Sequence, residues 1–513
     1  MVNVVVIGAG HNGLAAAVML AKGGAKVRVV EARAAIGGAV RTERPFAKAP
    51  ELGASTGAYL LGLMPPELFA KLELDVRTIR RDPHYFLPTT DGRHLLFGSE
   101  RSTTKDQILR FFSQADYDAH CALQDEIEKI RDDVAPTWLE EPRSIEETAE
   151  RHVRRELRGA FVDLCRKPIS HYLGRFGFKS DLLMAMYATT DAFSGLYGSW
   201  DTPGTGMNFL VHNMCRLRGS DGTWMIVEGG MGAVTASLAR TCAKLGVAVE
   251  TGDPVVRVRV EGGAARGVVL ASGREIAADA VVCNADPFAM QKLVGRDQLP
   301  ADYNARLDDY AKKPGSTLKV NLALSGTPKF TCLPNAFDRP FAPTIHLLPD
   351  EGEVIARLRE GFAAVQRGEL YDFPTIEWYL HTTVDRSLQD REGRHNSALF
   401  VQWVPYEIRG STWEAEEARY VKKLLAICDR FAPGTSDLVV DVFALHPKKI
   451  EEHFGITRGH IHHVDNGWGF SDRLPYATPV AGLYSCSAGT HPAGSVIGAA
   501  GHNAAARVLR DFA

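Results

Sequence analysis

The first 31 residues read as VNVVVI, GAGHNG, an apolar run from Leu14 to Leu20, and KVRVV ending in Glu31. The β-branched opening predicts a buried strand over residues 2–7, the apolar run a helix, and Lys26–Val30 a second strand. Gly8, Gly10 and Gly13 fall between strand and helix in G-x-G-x-x-G spacing. In such a unit the first glycine allows a tight turn, the second lets the backbone approach a pyrophosphate, and the third lets the helix pack closely on the sheet. The helix N-terminus adds free N–H groups and partial positive charge for the phosphates. His11 and Asn12 lie inside the turn, where polar side chains brace the phosphate loop. Glu31 ends the second strand, placed to accept the hydroxyls of an adenosine ribose and to disfavour a 2′-phosphate. The unit therefore predicts FAD or NAD.

A chain of 513 residues exceeds one compact core and suggests roughly two to four units. A net charge of -3 gives no basic face for nucleic acid. The eight cysteines include no C-x-x-C pair and no metal-ligand spacing, and they are too sparse for a disulfide framework, so reduced thiols are expected. No apolar run approaches about 18 residues. With a strand starting at residue 2 and no room for a leader ahead of it, a cytoplasmic address is expected.

Residues 104–190 read as helical, with Leu123, Ile127, Ile130 and Val134 on one face. Turn, helix and two strands follow over 226–260, then an alternating meander with turns at Gly262–Gly263 and Ser272–Gly273. Further strands are predicted at Thr317–Leu324, Ser397–Val404 and Leu438–Ala444, and the chain ends in strand, glycine-rich loop and helix. Glycine-rich turns at the start, middle and end predict an α/β protein with a doubly wound Rossmann-type domain built from separated segments, 1–70, 222–290 and 446–513. Segments 71–221 and 291–445 would form a second domain, a mixed sheet with helices that holds substrate.

Three stretches carry a family resemblance. After Glu31 comes ARAAIGGAVRT, with Ala32, Arg33, the pair Gly37 and Gly38, Arg41 and Thr42. Residues 222–258 read GTWMIVEGGMGAVTASLARTCAKLGVAVETGDPVVRV, and residues 482–505 read GLYSCSAGTHPAGSVIGAAGHNAA. Together these resemble the flavoproteins of the amine oxidase and phytoene desaturase superfamily. The resemblance implies FAD, with Gly37 and Gly38 beside its phosphates and flavin and the Val255 backbone against adenine. It places Gly489 near the pyrophosphate, and Pro492, Gly494, Ser495 and Val496 along the isoalloxazine. Ala39 stands where an arginine commonly follows the glycine pair; the arginine here is Arg41, followed by the matching hydroxyl of Thr42. The activity implied is dehydrogenation or saturation of a carbon–carbon bond in an apolar, isoprenoid-type small molecule, with hydride passing to flavin N5. With no redox dithiol and no second complete glycine turn for a nicotinamide domain, oxygen or a quinone is the expected electron acceptor.

His491, beside Pro492, is the first candidate for a residue near the reacting centre, against a loop histidine bonded to backbone. His460, His462 and His463 in GHIHHVD invite a metal reading, since alternation would put His460 and His462 on one strand face; no acid or cysteine at ligand spacing joins them, so no metal is expected and His463 is carried as a substrate-side candidate. Tyr197, with Trp200 and His212, lies in a stretch suited to a pocket wall, and Glu228 precedes the G-G-M-G turn. Rival readings are a redox-neutral flavin-dependent isomerase or hydratase, an amine oxidase, and an interaction protein that binds FAD without turnover. A lipid substrate would bring peripheral membrane contact, for which no basic amphipathic helix argues. Oligomeric state is left open.

Overall fold

The computed structural model describes all 513 residues. Its first sheet is parallel throughout and runs Leu483–Ser485, Ala280–Cys283, Asn3–Ile7, Lys26–Glu31, Ala248–Thr251. Chain segments hundreds of residues apart thus form one sheet. The inner strands are apolar on both faces, as a parallel sheet covered on two sides requires. The helix His11–Lys22 begins directly on the glycine turn, three residues before the apolar run. Val255–Glu261, Ala264–Leu270 and Glu275–Ala277 form the expected antiparallel meander.

The second sheet has seven strands in the order Val439–Leu445, Thr317–Leu324, His395–Gln402, Thr375–Tyr379, Thr344–Leu347, Tyr85–Pro88, His94–Phe97. It is antiparallel except where Thr344–Leu347 meets Tyr85–Pro88. Four of its strands, over 85–97, 344–347 and 375–379, had no clear alternation in the sequence. Residues 101–192 are helical in separate pieces, the longest Gln114–Val134, and the last is a π-helical turn over Ala188–Ala192. No helix is long and apolar enough to cross a membrane. One expectation fails locally: GHIHHVD is a turn rather than a strand, with His463 at φ 61°, because its backbone bends to follow the cavity described below.

One contact fixes the end of the chain to its start, and a second ties the terminal loops to each other. The helix Ala499–Asp511 crosses His11–Lys22 through alanines and glycine, and a Cβ on Gly501 would lie 2.2 Å from the Asn12 carbonyl oxygen. Arg473 is fully buried, and its guanidinium donates to the carbonyls of Thr490, Asp465, Trp468, Val464 and Ala488 and to Asn466 Oδ1. Burial pushes this group down to about 10, so it stays charged at neutral pH.

Gly501→Ala should force the two helices apart and cost about 1–3 kcal/mol in denaturant unfolding. Arg473→Met strands the buried oxygens; an expected loss of about 3–5 kcal/mol would be read in the same assay, with lower cofactor content in the purified protein.

Candidate functional site

A cavity of 780 Å³ runs from the parallel sheet to the seven-stranded sheet. Against the parallel sheet it is lined by Gly8, Gly10, His11 and Asn12, by Glu31, Ala32 and Arg33, by Gly37 and Gly38, and by Val255, Ser495 and Val496. The glycines are there for conformational reasons: Gly8, Gly37 and Gly38 have φ of 93°, 112° and 57°. Gly13 lies beneath the turn, where a Cβ would meet the Gly8 carbonyl oxygen at 2.1 Å. No side chain caps the helix that starts at His11, so its first N–H groups face the cavity. Glu31 accepts from the N–H of Ala9 at 2.7 Å and of Arg33 at 2.9 Å, which fixes its carboxylate at the strand end. His11 Nε2 lies 3.1 Å from the Ser495 carbonyl, and burial pushes the ring down to about 4, so it donates as a neutral imidazole.

The opposite part is a chamber walled by Tyr59, Leu60, Trp224, Tyr379, Phe400 and Ile461. Tyr59 packs on Tyr379 with ring centroids 4.4 Å apart and on Phe400 at 5.9 Å. Lys319 lies at the join, 4% exposed, donating to the carbonyls of Ser55 and Gly57 at 2.6 Å each, with Nζ 4.3 Å from the Tyr59 ring centre. Burial holds it well below the usual lysine range. Polar groups also enter the chamber: Thr190, Asp191, His212, Thr344 and Glu377. Glu377 accepts from the Tyr379 hydroxyl and faces His346 Nε2 at 3.6 Å. Buried Arg81 donates to Thr344 Oγ1 at 2.7 Å. Burial pushes Asp191 up to about 7 and His212 down to about 4.

His463 also lines the cavity; burial pushes it down to about 4, and its Nδ1 has no partner. Other candidates lie behind the wall. Arg41 leans over the Phe454 ring toward Glu43, and Thr42 donates to the Gly229 carbonyl and accepts from the Gly232 N–H, stapling the G-G-M-G turn. Gly489 donates to Ser487 Oγ, and Gly494 pairs with the Asn466 side chain, a Cβ there meeting His462 Cα at 2.3 Å. His491 is fully buried, with Nε2 3.0 Å from the Thr137 carbonyl; Pro492 follows it in the same buried loop. Tyr197 packs edge-on against Phe362, and its N–H donates to Asp465. Trp200 is in the core, and Glu228 pairs with Arg77 at the surface. His460 and His462 have ring centres 6.0 Å apart, only His462 reaching the cavity wall, and no cluster of metal-ligating side chains forms around them.

Lys319, Tyr59, Asp191, Glu377 and Tyr379 were not singled out from sequence. Lys319 alone left a signal there, as the one charge in the apolar strand STLKVNLAL.

An elongated cavity with an uncapped helix N-terminus, a fixed carboxylate and the buried, unpartnered Asn12 Oδ1 and Thr317 Oγ1 in its wall fits a flavin dinucleotide. The model of the family described as flavin containing amine oxidoreductase matches residues 13–348. Pyridine nucleotide-disulfide oxidoreductase domain-containing protein 2 of Rattus norvegicus is 32% identical over 553 residues, covering 99% of this chain and 93% of that protein. One of the polypeptides of the limonene dehydrogenase of Castellaniella defragrans is 25% identical over 541 residues, covering 99% of this chain and 95% of that one. An oxidoreductase from Methanosarcina mazei shares the fold, with a TM-score of 0.64 at 17% identity over 99% of this chain and 100% of that one. The chain belongs to the flavin-containing amine oxidoreductase family, as an FAD-dependent oxidoreductase.

Proposed function

We propose that the protein dehydrogenates or saturates a carbon–carbon bond of a small, largely apolar molecule held in the chamber beside Lys319. The observation that carries this reading is the chamber itself, closed by aromatic and aliphatic walls at the end of a 780 Å³ cavity that must also take the dinucleotide. Such a volume suits a dinucleotide with a compact substrate rather than with a long polyene. A relative matched over nearly its whole length is named for limonene, a compact isoprenoid, which supports the same size class.

In this reading Gly8, Gly10 and Asn12 face the diphosphate with the helix N-terminus, Glu31 takes the adenosine ribose, and Val255 borders adenine. Gly37, Gly38, Ser495 and Val496 border the flavin side. Bound FAD would supply a two-electron acceptor, with oxygen or a quinone as the final electron acceptor of this reading. The chain's own work is to orient and to exclude water. Lys319 ties the 55–57 backbone to the second sheet and holds the Tyr59 ring, so the chamber floor and the cofactor wall move as one piece. A second reading, oxidation of an amine, is favoured by the two acids among the aromatic rings, Asp191 and Glu377.

Anaerobic mixing of the FAD-loaded protein with limonene is expected to bleach the flavin absorbance, and cyclohexylamine, of similar bulk, is expected to leave it unchanged. Bleaching by the amine alone would replace the first reading with the second. Lys319→Met should keep most of its flavin but bleach about 100-fold more slowly, with a lower melting temperature from the two stranded carbonyls. Glu31→Ala should weaken FAD retention on dialysis by about 10-fold or more.

A further inference from the structure

The chamber holds two carboxyl groups, the buried Glu377 and the half-buried Asp191, and their surroundings differ. Glu377 is committed to the wall: one oxygen is taken by the Tyr379 hydroxyl and the other faces His346. Asp191 accepts a single hydrogen bond, from Asn213 Nδ2 to Oδ2 at 3.2 Å, and Oδ1 lies 4.0 Å from His212 Nδ1. No lysine or arginine pairs with it. It is presented by the π-helical turn Ala188–Ala192, an irregularity that costs regular helix hydrogen bonding and recurs at functional sites. The groups that face it are His212, Glu377, Tyr85, Tyr187 and Cys215, from four separate stretches of chain.

We propose that Asp191 is the catalytic base of the chamber, taking the proton from the carbon adjacent to the one that loses hydride. The assignment rests on the carbon–carbon reading above. In a CH–CH unit one C–H bond breaks with its electron pair, which leaves as hydride for the bound flavin. The neighbouring C–H bond breaks with its pair retained as the new π bond, and the proton forms an O–H bond on Asp191. That proton passes to water once the product has left; in the saturating direction the same O–H returns it to carbon. Burial, which pushes Asp191 up to about 7, gives a base strong enough for the task that is still ionised in a useful fraction at neutral pH. Because the carboxylate is the active form, dehydrogenation should speed up as pH rises through about 7.

The test has two arms on the flavin-loaded protein. Infrared pH-difference spectra should show the C=O stretch of a protonated buried carboxyl that disappears with a midpoint near 7, is absent in Asp191→Asn, shifts in Asp191→Glu and persists in Glu377→Gln. The rate of anaerobic bleaching by limonene should rise with pH in the wild type, fall at least about 100-fold in Asp191→Asn, lose its pH dependence there, and recover in part in Asp191→Glu. Absence of the band from the wild type, its survival in Asp191→Asn, or unchanged bleaching in that variant overturns the proposal. If limonene fails to bleach the wild type, the substrate reading falls, and the infrared arm still decides whether Asp191 titrates where a base must. Should Asp191→Asn not fold, a band unmoved by Asp191→Glu overturns the assignment.

Discussion

The arrangement of the site depends on one buried cation. Arg473 places its N–H groups on oxygens of two loops, 464–468 and 488–490, and so reinforces the pairing that Asn466 makes with Gly494 beside them. A buried guanidinium with all its donors met is stable only if nothing in its shell moves. Beside it Asp465 is fully buried; burial alone would raise its pKa, but Lys313 and His460 hold it well below the usual carboxylate range. Asp465 also accepts from the N–H groups of Tyr197 and Gly467. One rigid knot thus joins the GHIHHVD turn, the Tyr197 segment and the terminal loop, and from it His462, His463, Ser495 and Val496 reach the cavity wall.

This explains why two of the residues that first drew notice have no place at the cavity. His491 and Tyr197 belong to the knot, one bonded to the Thr137 carbonyl and the other held through its backbone. Their sequence neighbours, not they, reach the cavity. The loop has to pack its bulkier residues inward so that Gly494 can pass His462 closely and Ser495 can turn to His11.

What was legible in the sequence is what backbone geometry demands locally. The spacing of Gly8, Gly10 and Gly13 can be read because each position excludes a side chain, and Thr317–Leu324 can be read to the residue because Leu318, Val320, Leu322 and Leu324 recur at every second position, as one core-facing side of a strand must. The chamber could not be read, since Tyr59, Asp191, Lys319, Glu377 and Phe400 meet only through the pairing order of the seven-stranded sheet and a single π turn. Nothing in EWY or TTDA marks Glu377 or Asp191 as facing a cavity. The lone charge in STLKVNLAL was the exception: a lysine inside a buried strand is costly enough to call for a reason.

That reason lies in how the two halves of the molecule are coupled. Glycine-rich turns line the cavity against one sheet, while the chamber is formed largely by another, and in the proposed reading a few tenths of an ångström between them would change the approach of substrate to flavin. Lys319 crosses this division by donating from the second sheet to the 55–57 backbone, the same stretch that brings Tyr59 into the chamber. The burial that lets it reach both carbonyls is also what lowers its pKa, so the pKa shift and the geometry have one cause. Lys319 therefore ties the chamber's sheet to the 55–57 stretch as Arg473 ties the terminal loops, and a change of substrate could be reached by altering the walls at Tyr379 or Phe400 while both contacts are kept.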